Sequence, residues 1–68
     1  MNENQVVQQM QIDQVGFGDQ IIWNDRVWNV HDNRPFNNAR VLNLWNRDGE
    51  GIQIWVWWDN LVWVRRNG

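Results

Sequence analysis

From Asp19 to Arg65, apolar and polar residues alternate in short blocks, and no stretch holds the three-to-four-residue spacing of an amphipathic helix. Five blocks carry the two-residue period of strands, whose side chains point alternately to opposite faces. They predict strands over Gln20–Trp23, Arg26–Asp32, Ala39–Trp45, Ile52–Trp57 and Leu61–Arg65. Residues with turn chemistry separate them. Gly16-Phe17-Gly18-Asp19 precedes the first strand. Asn24-Asp25 makes a two-residue turn, because both residues tolerate left-handed backbone. Arg34-Pro35, within Asn33–Asn38, interrupts pairing. Asn46–Gly51 is a glycine-containing hairpin loop, and Trp58-Asp59-Asn60 is a short turn. Short, evenly spaced strands punctuated in this way predict an all-β barrel or sandwich.

Residues 1–15 read differently. Val6, Val7, Met10, Ile12 and Val15 are sparse among Gln and Asn. Val6 and Met10 suit a helical face, whereas Met10 and Ile12 suit a strand. The expected organisation is a polar arm over 1–15, frayed or ordered on a neighbouring subunit, and a β domain over 16–68.

Strand parity divides the remaining apolar residues into two sets. One face of each strand assembles a core of Ile21, Trp28, Val30, Leu42, Leu44, Ile52, Ile54, Val56, Val62 and Val64. The opposite parity leaves Val41 and Trp45 on the third predicted strand, Gln53, Trp55 and Trp57 on the fourth, and Trp63 on the fifth. Ile22 stands at the margin of this set. If these three strands are neighbours, the four tryptophans form one outward face. Each aromatic buries roughly 150–250 Å² when covered. Such a face therefore exceeds the few hundred Å² of contiguous apolar surface usual on a monomer. A bulge, or coverage by the arm, would account for part of the surplus without function. Arg40 falls on the inward parity and marks a strand end.

Composition narrows the chemistry. At 68 residues the chain is a single domain, of a size that usually needs a staple. It has no Cys, so disulfides and Cys-based zinc sites are excluded, and one His gives no basis for a metal. It also has no Ser, Thr, Tyr or Lys, where average usage would place about fifteen residues of these types and Cys. A designed or reduced-alphabet sequence, a viral protein or a strongly biased genome would each produce that pattern. Ser, Thr, Cys and Lys nucleophiles are thereby ruled out, as are hydroxyl phosphorylation and N-x-[ST] glycosylation. The carboxylates lie at strand ends and turns, where Asp favours bonds to its own backbone. Asp48-Gly49-Glu50-Gly51 lacks the spacing of a calcium loop. His31, beside Asp32, reads as a surface histidine. The chain is expected to be non-enzymatic and to need no cofactor.

The net charge of −2 disfavours non-specific nucleic-acid binding, which leans on basic residues. The six arginines read as spread along the chain rather than clustered. No apolar run approaches the ~20 residues of a membrane span, and the first residues lack the charged and apolar regions of a signal peptide. The expectation is a soluble protein, cytoplasmic or in a virion, with no membrane partner.

Gly18-Asp19 opening a strand, Val27-Trp28-Asn29-Val30 after a tight hairpin, and Trp57-Trp58-Asp59-Asn60-Leu61 before the last strand resemble the SH3-like barrels of the KOW and Tudor type. The resemblance covers Gly18 to Arg65 and implies a small five-stranded barrel. A fold does not fix a function. Gly18-Asp19 together with Gly51-Ile52-Gln53-Ile54-Trp55 is similar to the plasmid-type dihydrofolate reductases, pore-forming SH3-like barrels. That similarity implies a pore lined by Gln53, Ile54 and Trp55. The chain departs from it in having no counterpart of the active-site lysine, and Trp55 stands where the motif has Tyr.

Two functions fit the outward face. Trp and Arg are enriched at interface cores. Val41, Trp45, Gln53, Trp55, Trp57 and Trp63 would then bind a second copy or another protein. Alternatively, Trp beside Asn, Gln and Arg suits a platform for carbohydrate or for single-stranded nucleic acid, although acidity weighs against the latter.

Overall fold

The computed structural model describes the backbone of residues 5–67 and the side chains of residues 6–66. Six strands are present: β1 (Gln5–Gln11), β2 (Gln20–Trp23), β3 (Arg26–Phe36), β4 (Ala39–Trp45), β5 (Gly51–Trp57) and β6 (Leu61–Asn67). A three-residue 3₁₀ turn, Ile12–Gln14, follows β1. All pairings are antiparallel, in the order β1-β6-β2-β3-β4-β5. The expected five-stranded closed barrel is thus a six-stranded open sheet with β1 and β5 at its edges. The sheet is strongly curled. Trp23 on β2 and Val56 on β5 line one groove although β3 and β4 lie between their strands.

The curl wraps one core. Ile21, Trp28, Val30, Leu42, Leu44, Ile54, Val56, Val62 and Val64 are buried, as strand parity requires. Ile52 shares their side of the sheet but is exposed, because it sits near the start of an edge strand with no neighbour beyond it. Trp28 resolves its one polar atom by donating its indole N–H to the Trp23 carbonyl at 3.2 Å.

Of the arm expected over 1–15, the described residues 5–15 belong to this body. Gln5–Gln11 pairs in register with β6, placing Met10 opposite Val62 and Gln9 opposite Trp63. The 3₁₀ turn then drops Ile12 and Val15 into the core, both buried. It is held by the Ile12 N–H on the Asn60 carbonyl at 2.9 Å. Asn33 completes the attachment: its amide donates to the carbonyls of Ile12 at 2.8 Å and Val15 at 2.7 Å. A division at residue 15 therefore cuts through the core.

The second predicted strand is longer than expected. β3 runs through Pro35 to Phe36, and Asn37 takes the turn with φ 54°. Proline is tolerated because β2 pairs only as far as Asn29, which leaves the distal half of β3 without a neighbour on that side. A register shift between Val30 and Asp32 inserts His31 as an extra residue. The bulge reverses parity, so Asp32 faces outward with Asn43 and Asn33 faces inward with Leu42. Arg40 stays inside β4, opposite Pro35. Its charge is met by Asn33, whose Oδ1 accepts from Nε at 2.8 Å and whose carbonyl accepts from Nη2 at 3.3 Å.

Apart from the break expected at Arg34-Pro35, the predicted turns hold. Asn24 and Asp25 have φ of 54° and 62°, as a two-residue hairpin with mirror-image turn geometry requires. The β4–β5 loop is organised by buried Asn46. Its Oδ1 accepts from the backbone N–H of Asp48 and of Glu50, each at 3.0 Å, and its amide donates to the Glu50 carboxylate at 2.8 Å. The Asn46 bond, reinforced by Arg26, holds the Glu50 carboxyl below its ordinary pKa. A carboxyl depressed in the folded state contributes stability that is present above its unfolded pKa and lost as pH falls through the folded value. The melting temperature is expected to drop on acidification into the carboxylate range. Glu50→Gln is expected to flatten that drop, read by thermal melts across pH; an unchanged slope would remove the role assigned to this loop.

Candidate functional site

The hairpin register builds the outward face row by row. β3, β4 and β5 align Arg34–Val41–Trp55, Phe36–Ala39–Trp57 and Asp32–Asn43–Gln53, with Trp45 opposite Gly51 further along. Trp55 is 58% and Trp57 63% exposed. Phe36 stands edge-on to Trp55, with ring centroids 5.0 Å apart. This is a favoured aromatic geometry that fixes the Trp55 ring without covering it.

A polar row borders the aromatics. Gln53 donates to Asn43 at 3.2 Å, Asn43 donates to Asp32 at 2.7 Å, and Arg34 reaches the same carboxylate at 3.2 Å. The Asn43 bond, with help from Arg34 and against some desolvation, lowers the Asp32 pKa. The row is therefore charge-balanced and pre-ordered beside the rings. A groove of about 300 Å³ between Phe36 and Trp55 has Arg34, Val41, Asn43 and Gln53 along it. A second, of about 320 Å³, touches Trp55, Val56 and Trp57. Trp23 from β2 and Ala39 from β4 also line it, so it lies at the end of the curled sheet where β5 finishes.

Val41, Gln53, Trp55 and Trp57 are brought together, and Trp45 extends the same face. Trp63 is not part of it. β6 pairs with β1 and β2, so Trp63 lies between Gln9 and Ile22, with three strands separating β6 from β5. Parity shows which side a residue faces but not which strand lies beside it, and the short β5–β6 turn leads away from β5 rather than back along it. The three residues that the reductase similarity implies as pore-lining, Gln53, Ile54 and Trp55, are divided between the two sides of the sheet. Ile54 is buried in the core while Gln53 and Trp55 face outward, so the three do not line one surface.

Phe36 and Arg34 join the face because β3 continues through Pro35, where the sequence pattern predicts a break. The Asn37-Asn38 pair, capable of left-handed backbone, was the signal for a longer hairpin. His31 is exposed and sits edge-on to Phe17 at 6.4 Å. Among the described residues, no three of His, Cys, Asp and Glu converge as metal ligands, and no helix is long and apolar enough to cross a membrane.

The chain matches no protein-family model, no curated protein and no solved structure.

Proposed function

We propose that this chain is a non-enzymatic assembly module that joins a second copy of itself through the free edge of β5 and the tryptophan face beside it. The observation that carries the reading is the edge. β5, Gly51–Trp57, contains no charge and no proline. Proteins usually blunt an exposed edge with one or the other. Its Ile, Val and Trp residues favour strands. The opposite edge, β1, is also uncharged, but Val7 is the one large apolar side chain on its outward parity.

Antiparallel pairing of two β5 strands across a two-fold axis is self-complementary. In the fully overlapped register, Gln53 meets Trp55 of the second copy and Gly51 meets Trp57. An aromatic then covers each glycine. No charges meet within β5 itself, and Glu50, which flanks the strand, is paired with Arg26. Trp45, Trp55, Trp57 and Phe36 together expose roughly 500 Å² of aromatic surface, a large part of the ~800 Å² per partner of a standard interface. We read β2–β6 as the SH3-like barrel, with β1 added as a sixth strand; the curl of the sheet supports this.

The molar mass in solution is expected to rise from monomer to dimer across the micromolar range, with a blue shift in tryptophan emission. Trp55→Arg is expected to weaken dimerisation by about two orders of magnitude, as at an interface hot spot, while leaving the monomer folded because Trp55 is exposed. A clean monomer at high micromolar concentration with solvent-exposed tryptophan emission would defeat the proposal. A second reading rests on the Phe36–Trp55 groove, where a sugar could stack on Trp55 and bond the amides of Asn43 and Gln53. Titration of oligosaccharides against tryptophan emission separates the two.

A further inference from the structure

Arginines that are dispersed in the sequence meet on the sheet. A groove of about 380 Å³ has Arg26, Arg47 and Arg65 along its walls and Gln20 and Asn29 within it. A neighbouring groove shares Gln20, Asn29 and Arg65 and adds Arg66. The strand register explains the convergence. Arg65, Gln20, Asn29 and Trp45 form one cross-strand row over β6, β2, β3 and β4, and Arg47 follows two residues beyond Trp45 in the β4–β5 loop.

The hydrogen bonds in this row run in one direction. Arg65 Nε donates to Gln20 at 3.3 Å, Gln20 donates to Asn29 at 3.0 Å, and Asn29 donates to the Trp45 carbonyl at 3.4 Å. Two of the four arginines are neutralised. Arg26 pairs with Glu50 and lies 3.9 Å from Asp48, and Arg66 lies 3.2 Å from Asp19. The other two keep their charge. Among the described residues, no carboxylate lies within ion-pair distance of Arg47 or Arg65. Among the described residues, Arg65 donates only through Nε, which leaves its terminal nitrogens available, and Arg47 makes no side-chain hydrogen bond.

We infer that this groove binds a small molecule carrying two anionic groups, one held by Arg47 and the other by Arg65. The two arginines approach from opposite sides of the Gln20–Asn29 pair. β6, which carries Arg65, and β4, which Arg47 follows, are three spacings apart, about 14 Å at the backbone, and both arginines line the one groove between them. Groups separated by a few ångströms on one small molecule fit the space, and the volume lies within the range of small-molecule sites. Guanidinium groups suit phosphate and carboxylate alike through paired N–H donors. The ends of the trough select against a polymer. Asp48, 80% exposed at the side chain, stands at the Arg47 end, and Asp19 stands at the Arg66 end. A long polyanion would run into both carboxylates, whereas a small molecule ends before them.

The test is titration of the full chain at low ionic strength with pyrophosphate, succinate and a single-stranded oligonucleotide, followed by amide NMR shifts and calorimetry. Pyrophosphate, succinate or both are expected to shift Gln20, Asn29, Arg47 and Arg65, and whichever binds tells whether the natural ligand carries phosphate or carboxylate. Arg47→Gln and Arg65→Gln are each expected to weaken binding about tenfold, the size of one lost charge-assisted contact. Asp13→Asn, on the exposed 3₁₀ turn outside the trough, is expected to leave binding unchanged. Arg47 is exposed in a loop, so its replacement leaves the fold in place. Absence of shifts with both anions, tighter binding of the oligonucleotide than of either, or a change with Asp13→Asn as large as that with either arginine variant would each overturn the inference.

Discussion

Removing residues 1–15 is expected to abolish cooperative folding of the remainder. The truncation deletes β1, strips the outer edge of β6 of its backbone partner, and takes Ile12 and Val15 from the core. The single substitution Ile12→Ala reports the same dependence on a smaller scale. Ile12 is fully buried, and cutting a buried Ile to Ala costs about 2–5 kcal/mol. A domain below ~70–80 residues rarely has more than about 3–5 kcal/mol to lose. Ile12→Ala is therefore expected to leave a large unfolded population at 25 °C, and the truncated chain to show no cooperative transition by circular dichroism. A truncated chain that melts cooperatively within a few degrees of the intact one would show that the N-terminal segment merely decorates the sheet.

The second large effect is expected at Asn33. Its amide holds the Ile12 and Val15 carbonyls, and its Oδ1 takes the Arg40 Nε–H. Asn33→Leu keeps the approximate volume but leaves two carbonyls and a guanidinium without these partners. Each unsatisfied buried group costs about 1–3 kcal/mol. With partial access of water to the site, the expected loss is about 2–4 kcal/mol in denaturant unfolding. Adding Arg40→Met to Asn33→Leu removes the stranded charge, and the double variant is expected to recover part of the loss, because residues in one network do not add independently. A single variant within 0.5 kcal/mol of the parent would mean that water replaces Asn33 without penalty.

These two predictions fall where the sequence was least legible. The core from Ile21 to Val64 could be read because a two-residue period is intrinsic to a strand, and only Ile52 escaped, through its place at an edge. The Asn24-Asp25 turn was readable because left-handed backbone has few tolerant residues. Ile12 and Val15 were not readable as core: the 3₁₀ turn between them breaks any two-residue period carried over from β1. Asn33 looked like part of a loop because Arg34-Pro35 follows it, and its inward side was hidden because the His31 bulge reverses parity just before it. The tryptophan surplus was legible as a count and a side. Its division into a Trp55–Trp57 face and a distant Trp63 was not, since that depends on β6 returning to β2. The arginine trough was invisible for the same reason: Arg26, Arg47, Arg65 and Arg66 become neighbours only once β6, β2, β3 and β4 lie side by side.

The pairing of β1 with β6 also sets the order of assembly. The hairpins β2–β3 and β3–β4 close over two residues each and β4–β5 over five. Their loop-closure entropy is small. β1 has no partner until β6 exists, and joining Gln5 to Asn67 spans nearly the whole chain. Topologies dominated by such distant pairings fold slowly. On a ribosome the glutamine-rich first strand emerges long before the surface it completes. Its four glutamines and lack of charge then matter in a second way: they keep a waiting strand soluble without repelling the partner it must eventually meet.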